Sequence, residues 1–166
     1  MQNSQQLSLL DPTSLIPPHQ SASFKFDATL YTEGACTSLG FGGWAFILEA
    51  NGRRIEQFGY ECETTNIRMN LLAAFEGVVA SPRTASLQII SDSGYVVKGV
   101  NEWLPSWLNN GWKTANGQPV KYRTFWEEIH QQLNGRVHRA DWLPVTSANP
   151  ILVRCHKLAK TAMVRH

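Results

Sequence analysis

The chain has 166 residues, 43% of them hydrophobic, which suits one domain of ordinary size with a core of its own. It contains no run of 18 apolar residues, which excludes a membrane-spanning helix, and the first residues carry no basic stretch followed by an apolar run, so no secretory signal is read. A net charge of +2 permits a nucleic-acid partner without arguing for one, and Cys36, Cys62 and Cys155 are too few and too scattered for a disulfide framework or a CxxC metal knuckle, which points to a reduced, cytoplasmic protein.

In chain order, residues 1–22 stand apart. They are rich in Gln, Ser and Pro, nearly uncharged, and interrupted by Pro17-Pro18. They read as a flexible tail before a domain over 23–166. "SFKFDATLYTEGAC" alternates around Phe24, Phe26, Ala28 and Leu30, the period of a strand. "GFGGWAFILEA" is a second strand, "NGRR" a turn, and "RRIEQFGYECE" a third strand running back. Thr64 or Thr65 is placed to cap a helix from about Asn66 to Ala80. "ASLQIISDS" is a short apolar strand, buried and parallel in expectation. Helices are expected at about 93–103 and 122–133, a strand at "RVHRADWL", and a last helix at about 150–165. This order gives an α/β sandwich around one mixed sheet.

Several local words sharpen that outline. "LYTEGAC", "TTNIRMNLLAA", "IISDSGYVVKGVNEWLPSWLNNGWKTANGQPVKYRTFW" and "WLPVTSANPILVRCHKLA" follow one another in the order found in bacterial type-one ribonuclease H. The chain resembles that family over about residues 24–165. The resemblance implies a five-stranded sheet, an antiparallel meander followed by two parallel strands, with helices on both faces. It also implies a site where two magnesium ions, held by four acids, activate water against an RNA phosphate. Those four places fall at Glu33, Asn70, Asp92 and His156, and only Asp92 keeps the family's residue.

Each change weakens the implied chemistry. Glu33 in place of Asp moves its oxygens by about an ångström, and a displacement of that size can cost on the order of a hundredfold in rate. Asn70 in place of Glu removes a unit charge, worth roughly 4 kcal/mol at 4 Å in an effective dielectric near 20. His156 in place of Asp offers a nitrogen donor that magnesium disfavours. The family's loop histidine, tied to product release, falls at Thr146. The expectation is therefore a site without metal or cofactor, in a non-catalytic subunit that binds an RNA/DNA hybrid or duplex. Three alternatives stay open. One is an active hybrid ribonuclease with an altered magnesium or manganese site. Another has Glu33, Asp92 and His156 converging on zinc, manganese or iron. The third is a protein-interaction scaffold that binds no nucleic acid. Asn70 also reads as an ordinary first-turn cap partner, and His156 as an exposed helix residue.

In the family, the segment after the fourth strand supplies basic and aromatic contacts to the DNA strand. Trp103, Trp107, Trp112 and Trp126 keep the aromatic part, and Lys113, Lys121 and Arg123 part of the charge. The family's Lys-Lys-Arg cluster falls at Leu108, Asn109 and Asn110. Thr65 and Asn66 match residues near the family's scissile region. The tryptophans equally fit a buried stripe, and the lysines a solvated face. In the tail, Gln6, Leu7, Ser8, Leu9 and Leu10 resemble the short peptide by which bacterial replication proteins hold the sliding clamp, and equally fit a plain disordered tail.

Overall fold

The computed structural model of the chain describes residues 24–164. Three strands form the antiparallel meander: β1 (Ala28–Cys36), β2 (Gly42–Ala50) and β3 (Arg53–Glu61). The turn between β2 and β3 is Asn51-Gly52, with φ of 54° and 70°. Two successive left-handed residues match the twist of a tight hairpin, and Asn and Gly adopt that conformation most cheaply. Helix α1 (Asn66–Ala80) leads to β4 (Leu87–Ser91), which pairs parallel with β1. Next come α2 (Gly94–Lys98), a π-helical turn over Gly99–Trp103, and α3 (Leu104–Asn109). Helix α4 (Arg123–Leu133), β5 (His138–Trp142), parallel to β4, and α5 (Pro150–Met163) complete the fold. The sheet order is β3-β2-β1-β4-β5, so β1 lies in the middle.

The expected mixed sheet is present. Two expected boundaries move. The first strand begins at Ala28, because Phe24 and Phe26 pack edge-to-face on each other, 4.8 Å apart, instead of joining the ladder. The helix expected at 93–103 runs on to Asn109 through the π turn, despite Pro105. A proline inside a helix lacks a donor and crowds the preceding turn. The widened turn just before it, where Leu104 N–H bonds Gly99 O, supplies that room.

Alternation along the strands builds two cores. Leu30, Phe46, Leu48 and Ile89 point to the face covered by α1 and α4, where Leu71, Val78, Trp126 and Ile129 meet them. Tyr31, Ala45 and Ile47 point the other way, onto Leu152, Cys155 and Ala159 of α5. Hence "WAFIL" is apolar on both parities, as expected of a strand covered on both faces. Helix α5 lies so close to the sheet that a Cβ on Gly43 would come 2.0 Å from Ala159 O. Asn149 caps α5 by accepting from the N–H groups of Ile151 and Leu152, both at 3.0 Å.

Trp126 anchors the segment between β4 and β5. It is fully buried, its Nε1 donates to Tyr95 Oη at 3.2 Å, and its ring meets Tyr95 and Trp107 with centroids 5.7 and 5.5 Å apart. Trp126→Ala should destabilise the fold by about 3–5 kcal/mol, read as a lowered urea midpoint with both α4 and the α2–α3 segment loosened.

Candidate functional site

Four elements bring the four positions together. Glu33 lies near the end of β1, Asp92 follows β4, and Asn70 and His156 sit in the second turns of α1 and α5. Gly34 makes this possible: a Cβ there would lie 2.3 Å from Asn70 N, so only glycine lets α1 rest on β1 at this point. Thr65 caps α1, its Oγ1 accepting from Arg68 N–H at 3.2 Å. The result is a cleft of about 460 Å³, walled by Gly34, Asn66, Asn70, Asp92, Ser93 and His156 among others.

The side chains are committed in an unexpected way. Asn70 is buried, and its Nδ2 donates to Asn66 O at 3.0 Å and Gly34 O at 3.3 Å. Glu33, only 1% exposed, sets Oε2 3.3 Å from His156 Nδ1. The two residues are 123 apart in sequence, and neither residue's sequence neighbourhood signals the contact. Three buried oxygens, Thr32 Oγ1, Glu33 Oε1 and Asn70 Oδ1, have no hydrogen-bond partner.

Burial, reinforced by the nearby Asp92, pushes the Glu33 carboxyl up to about 9, so it keeps its proton at neutral pH. Burial also raises Asp92, against a smaller opposing pull from His156 and a backbone hydrogen bond. Two magnesium ions would bring four positive charges to this place. The chain offers one buried carboxyl turned toward an imidazole, one carboxylate at the cleft wall, and an amide whose N–H group is bound to two carbonyls. This donor set does not fit a two-magnesium centre. The Glu33–Asp92–His156 alternative is brought together only in part. Glu33 and His156 meet, but among the described residues no three or more His, Cys, Asp or Glu are grouped so as to hold a metal ion.

The expected nucleic-acid residues divide. Trp107 is corrected to a packing residue: it is 8% exposed and locked between Trp103, Trp112 and Trp126, with centroids 5.8, 6.4 and 5.5 Å away. Trp103 also packs on Tyr95, so the stripe serves the fold first. Trp112 stays half-buried and carries the Arg123 guanidinium 5.4 Å above its ring. Lys113, Lys121 and Arg123 are exposed, although Arg123 also pairs with Glu127 at 2.7 Å. Lys121 lies over the Tyr122 ring at 4.9 Å. Asn66 is exposed at the cleft rim. Gln6, Leu7, Ser8, Leu9 and Leu10 lie outside the described residues. Sequence reading missed Trp142, which stands beside Ser91 in the β4–β5 register, is 57% exposed, and donates its indole N–H to Asp92 O at 2.9 Å. Its place at the end of a parallel strand, level with the residue before Asp92, was the available signal. Among the described residues, no helix is long and apolar enough to cross a membrane.

The raised Glu33 group makes stability depend on pH. Between its ordinary value near 4.5 and about 9, the unfolded chain releases a proton that the native chain retains. Stability is therefore greatest below that window and falls through it, by up to about 1.4 kcal/mol per pH unit. Urea midpoints measured from pH 5 to 9 should show this decline in the natural chain and lose this component of it in Glu33→Gln.

Comparison with known proteins agrees with the architecture. A family model described as RNase H matches residues 25–163. A ribonuclease H of Pseudomonas aeruginosa (strain LESB58) is 38% identical over 136 residues, covering 81% of this chain and 92% of the relative. One from Pseudomonas putida (strain W619) is 44% identical over 114 residues, 68% of this chain and 76% of the relative. Among solved structures, LC9-RNase H1, described as a type 1 RNase H with the type 2 active-site motif, superposes with a TM-score of 0.67 at 24% identity, over 82% of this chain and 71% of that one. The foamy viral protease-reverse transcriptase, solved with double-stranded DNA, superposes with a TM-score of 0.74 at 20% identity, over 84% and 96%. At those identities the structures speak for the fold alone. With the family model spanning nearly the whole described domain and close relatives matched along most of their length, the chain belongs to the RNase H family.

Proposed function

We propose that this RNase H-family protein binds an RNA/DNA hybrid or duplex without cutting it, as a subunit or accessory of a larger assembly. The observation that carries this reading is the Glu33–His156 contact inside the cleft. A buried carboxyl turned to an imidazole is already engaged by the protein's own side chain. Around it, Asn70 has replaced charge with an amide bonded to the protein's own backbone. Asp92 alone cannot supply the negative charge that two-ion hydrolysis needs.

Binding needs less than cleavage does. Lys113 and Lys121 on the segment between α3 and α4, with Arg123 at the start of α4, form an exposed basic set suited to the phosphates of one strand. Asn66 at the cleft rim offers an amide to a sugar or base edge. Recognition would then rest on the shape of an A-form duplex and its 2′-hydroxyls. The tail adds a protein contact: Gln6 to Leu10 would hold a sliding clamp as an extended peptide, with Leu9 and Leu10 in an apolar pocket.

Two experiments test the reading. A labelled RNA/DNA hybrid incubated with the full chain and magnesium, or manganese, should stay intact, while filter retention of the same hybrid falls steeply with salt. Lys113→Ala, Lys121→Ala and Arg123→Ala should each weaken retention and reduce the log–log salt slope by about 1. Turnover abolished by Asp92→Ala would overturn the non-catalytic reading, and absence of salt-dependent retention would overturn nucleic-acid binding. For the tail, a peptide of residues 1–14 should compete with known ligands of a bacterial clamp, and Leu9→Ala with Leu10→Ala should abolish competition. Equal behaviour of the two peptides removes the clamp from the proposal.

A further inference from the structure

The cleft retains hydrogen-bonding capacity that the fold does not use. Asn70 is 3% exposed and lines the cleft, yet its Oδ1 has no donor. Behind it, Glu33 Oε1 is equally buried and equally unpartnered. The Asp92 carboxyl faces the same space. Native proteins seldom leave buried acceptors without a partner, and such groups call for an explanation. The surplus consists wholly of acceptors together with negative charge. A phosphate is excluded from the centre, since without intervening cations it would meet Asp92 head-on.

What fits is a cation rich in donors. The unpaired acceptors come from β1 and α1, and Asp92 from the end of β4, so they surround the space from three sides. A planar guanidinium presents five N–H groups in a fixed fork, whereas an ammonium presents a compact charge on a flexible stem. Cys36 and Asn66 line the cleft, and the chain segments that adjoin them suggest how such a group arrives. Leu39 and Phe41, in the loop between β1 and β2, are 81% and 44% exposed, and Ile67, in the first turn of α1, is 48% exposed. The loop is fastened to the entrance of α1 by Thr64 N–H donating to Gly40 O at 3.0 Å, so these two segments beside the cleft are joined. Apolar side chains around a polar pocket are how protein interfaces surround an arginine anchor and keep water from it.

We infer that this cleft receives the guanidinium of an arginine side chain presented by a protein partner, held by Asp92 and Asn70 with Leu39, Phe41 and Ile67 packing against the flanking partner residues. This rests on the reading that no metal pair occupies the same space. The acceptor Oδ1 of Asn70 and the carboxylate of Asp92 take the two edges of the fork. Lys113, Lys121 and Arg123 lie outside the cleft lining and are left to a nucleic-acid strand, so the chain holds two ligands of opposite charge.

The test uses the full chain labelled with ¹⁵N and three capped tripeptides: Ala-Arg-Ala, its citrulline counterpart and its lysine counterpart. The arginine peptide should move the side-chain amide signals of Asn66 and Asn70 to saturation, and the uncharged citrulline peptide should leave them in place at equal concentration. Asp92→Asn should weaken the arginine peptide at least tenfold, while Asn70→Asp, read at Asn66, should tighten it. Equal responses to arginine and citrulline, a lysine peptide as tight as arginine, or indifference to Asp92→Asn would each overturn the inference. Magnesium titrated alone separates this from the underlying reading. If magnesium moves the same signals and hybrid cleavage appears, the non-catalytic reading falls. If neither magnesium nor the arginine peptide acts, only the arginine inference falls.

Discussion

The site depends on one steric constraint: β1 lies at the centre of the sheet with a helix pressed on each face, and Gly34 is where α1 touches it. With no side chain at that position, the backbone of α1 comes close enough for Asn70 to donate to Gly34 O. The same strand presents Glu33, one residue earlier, to the opposite face, where α5 brings His156 against it. Alternation along a strand thus divides two neighbouring residues between two helices. It also ensures that whatever stands at 33 and 70 is buried, because sheet and helices close over both. Burial then decides the chemistry, since an isolated charge in such a place is costly and a neutral or hydrogen-bonded group is not.

That division explains why the substitutions belong together. An ionised Glu33 beside an ionised Asp92 would need compensating cations. In this chain the compensation comes from within: the proton on Glu33, the imidazole of His156, and an amide at 70 that bonds backbone carbonyls rather than an ion. Restoring any single acid would leave it facing partners suited to neutrality. The helix that carries Asn70 keeps its cap at Thr65 and its buried Met69, Leu71 and Ala73, because those residues hold α1 on the sheet whatever the cleft contains.

Much of this was legible in the sequence, and the gaps have physical causes. The Thr-Thr-Asn word placed α1 correctly at Asn66–Ala80, because a cap is a local hydrogen bond. The apolar run of "GFGGWAFILEA" marked a strand, and the cover on both its faces became visible only in the fold. The run of α2 past Pro105 was not legible, since it depends on a π turn that trades one register of hydrogen bonds for another. The tryptophans were ambiguous at spacings of four and five, and contacts with Tyr95 and Trp126 from other elements decided that they pack together. At the site, the family words pointed to four positions, of which Asn70, Asp92 and His156 line one cleft and Glu33 lies against His156. The Glu33–His156 contact and the Trp142–Asp92 hydrogen bond join distant segments, and only the tertiary arrangement displays them.

The cleft and the basic run are linked through electrostatics even though they use different residues. In a metal-loaded site, cations draw the scissile phosphate inward, and the remaining contacts orient the rest of the duplex around that point. Without cations, Asp92 pushes phosphate away from the centre, so a bound duplex would be held by its flanks, over Lys113, Lys121 and Arg123. On the proposed reading, the absence of basic side chains at Leu108, Asn109 and Asn110 matters more, because no metal-mediated contact would make up for it. Weaker, shape-led binding on one flank and an anionic, donor-seeking pocket in the middle are therefore two consequences of the same substitutions. On the proposed reading, such a surface joins a nucleic acid to another protein.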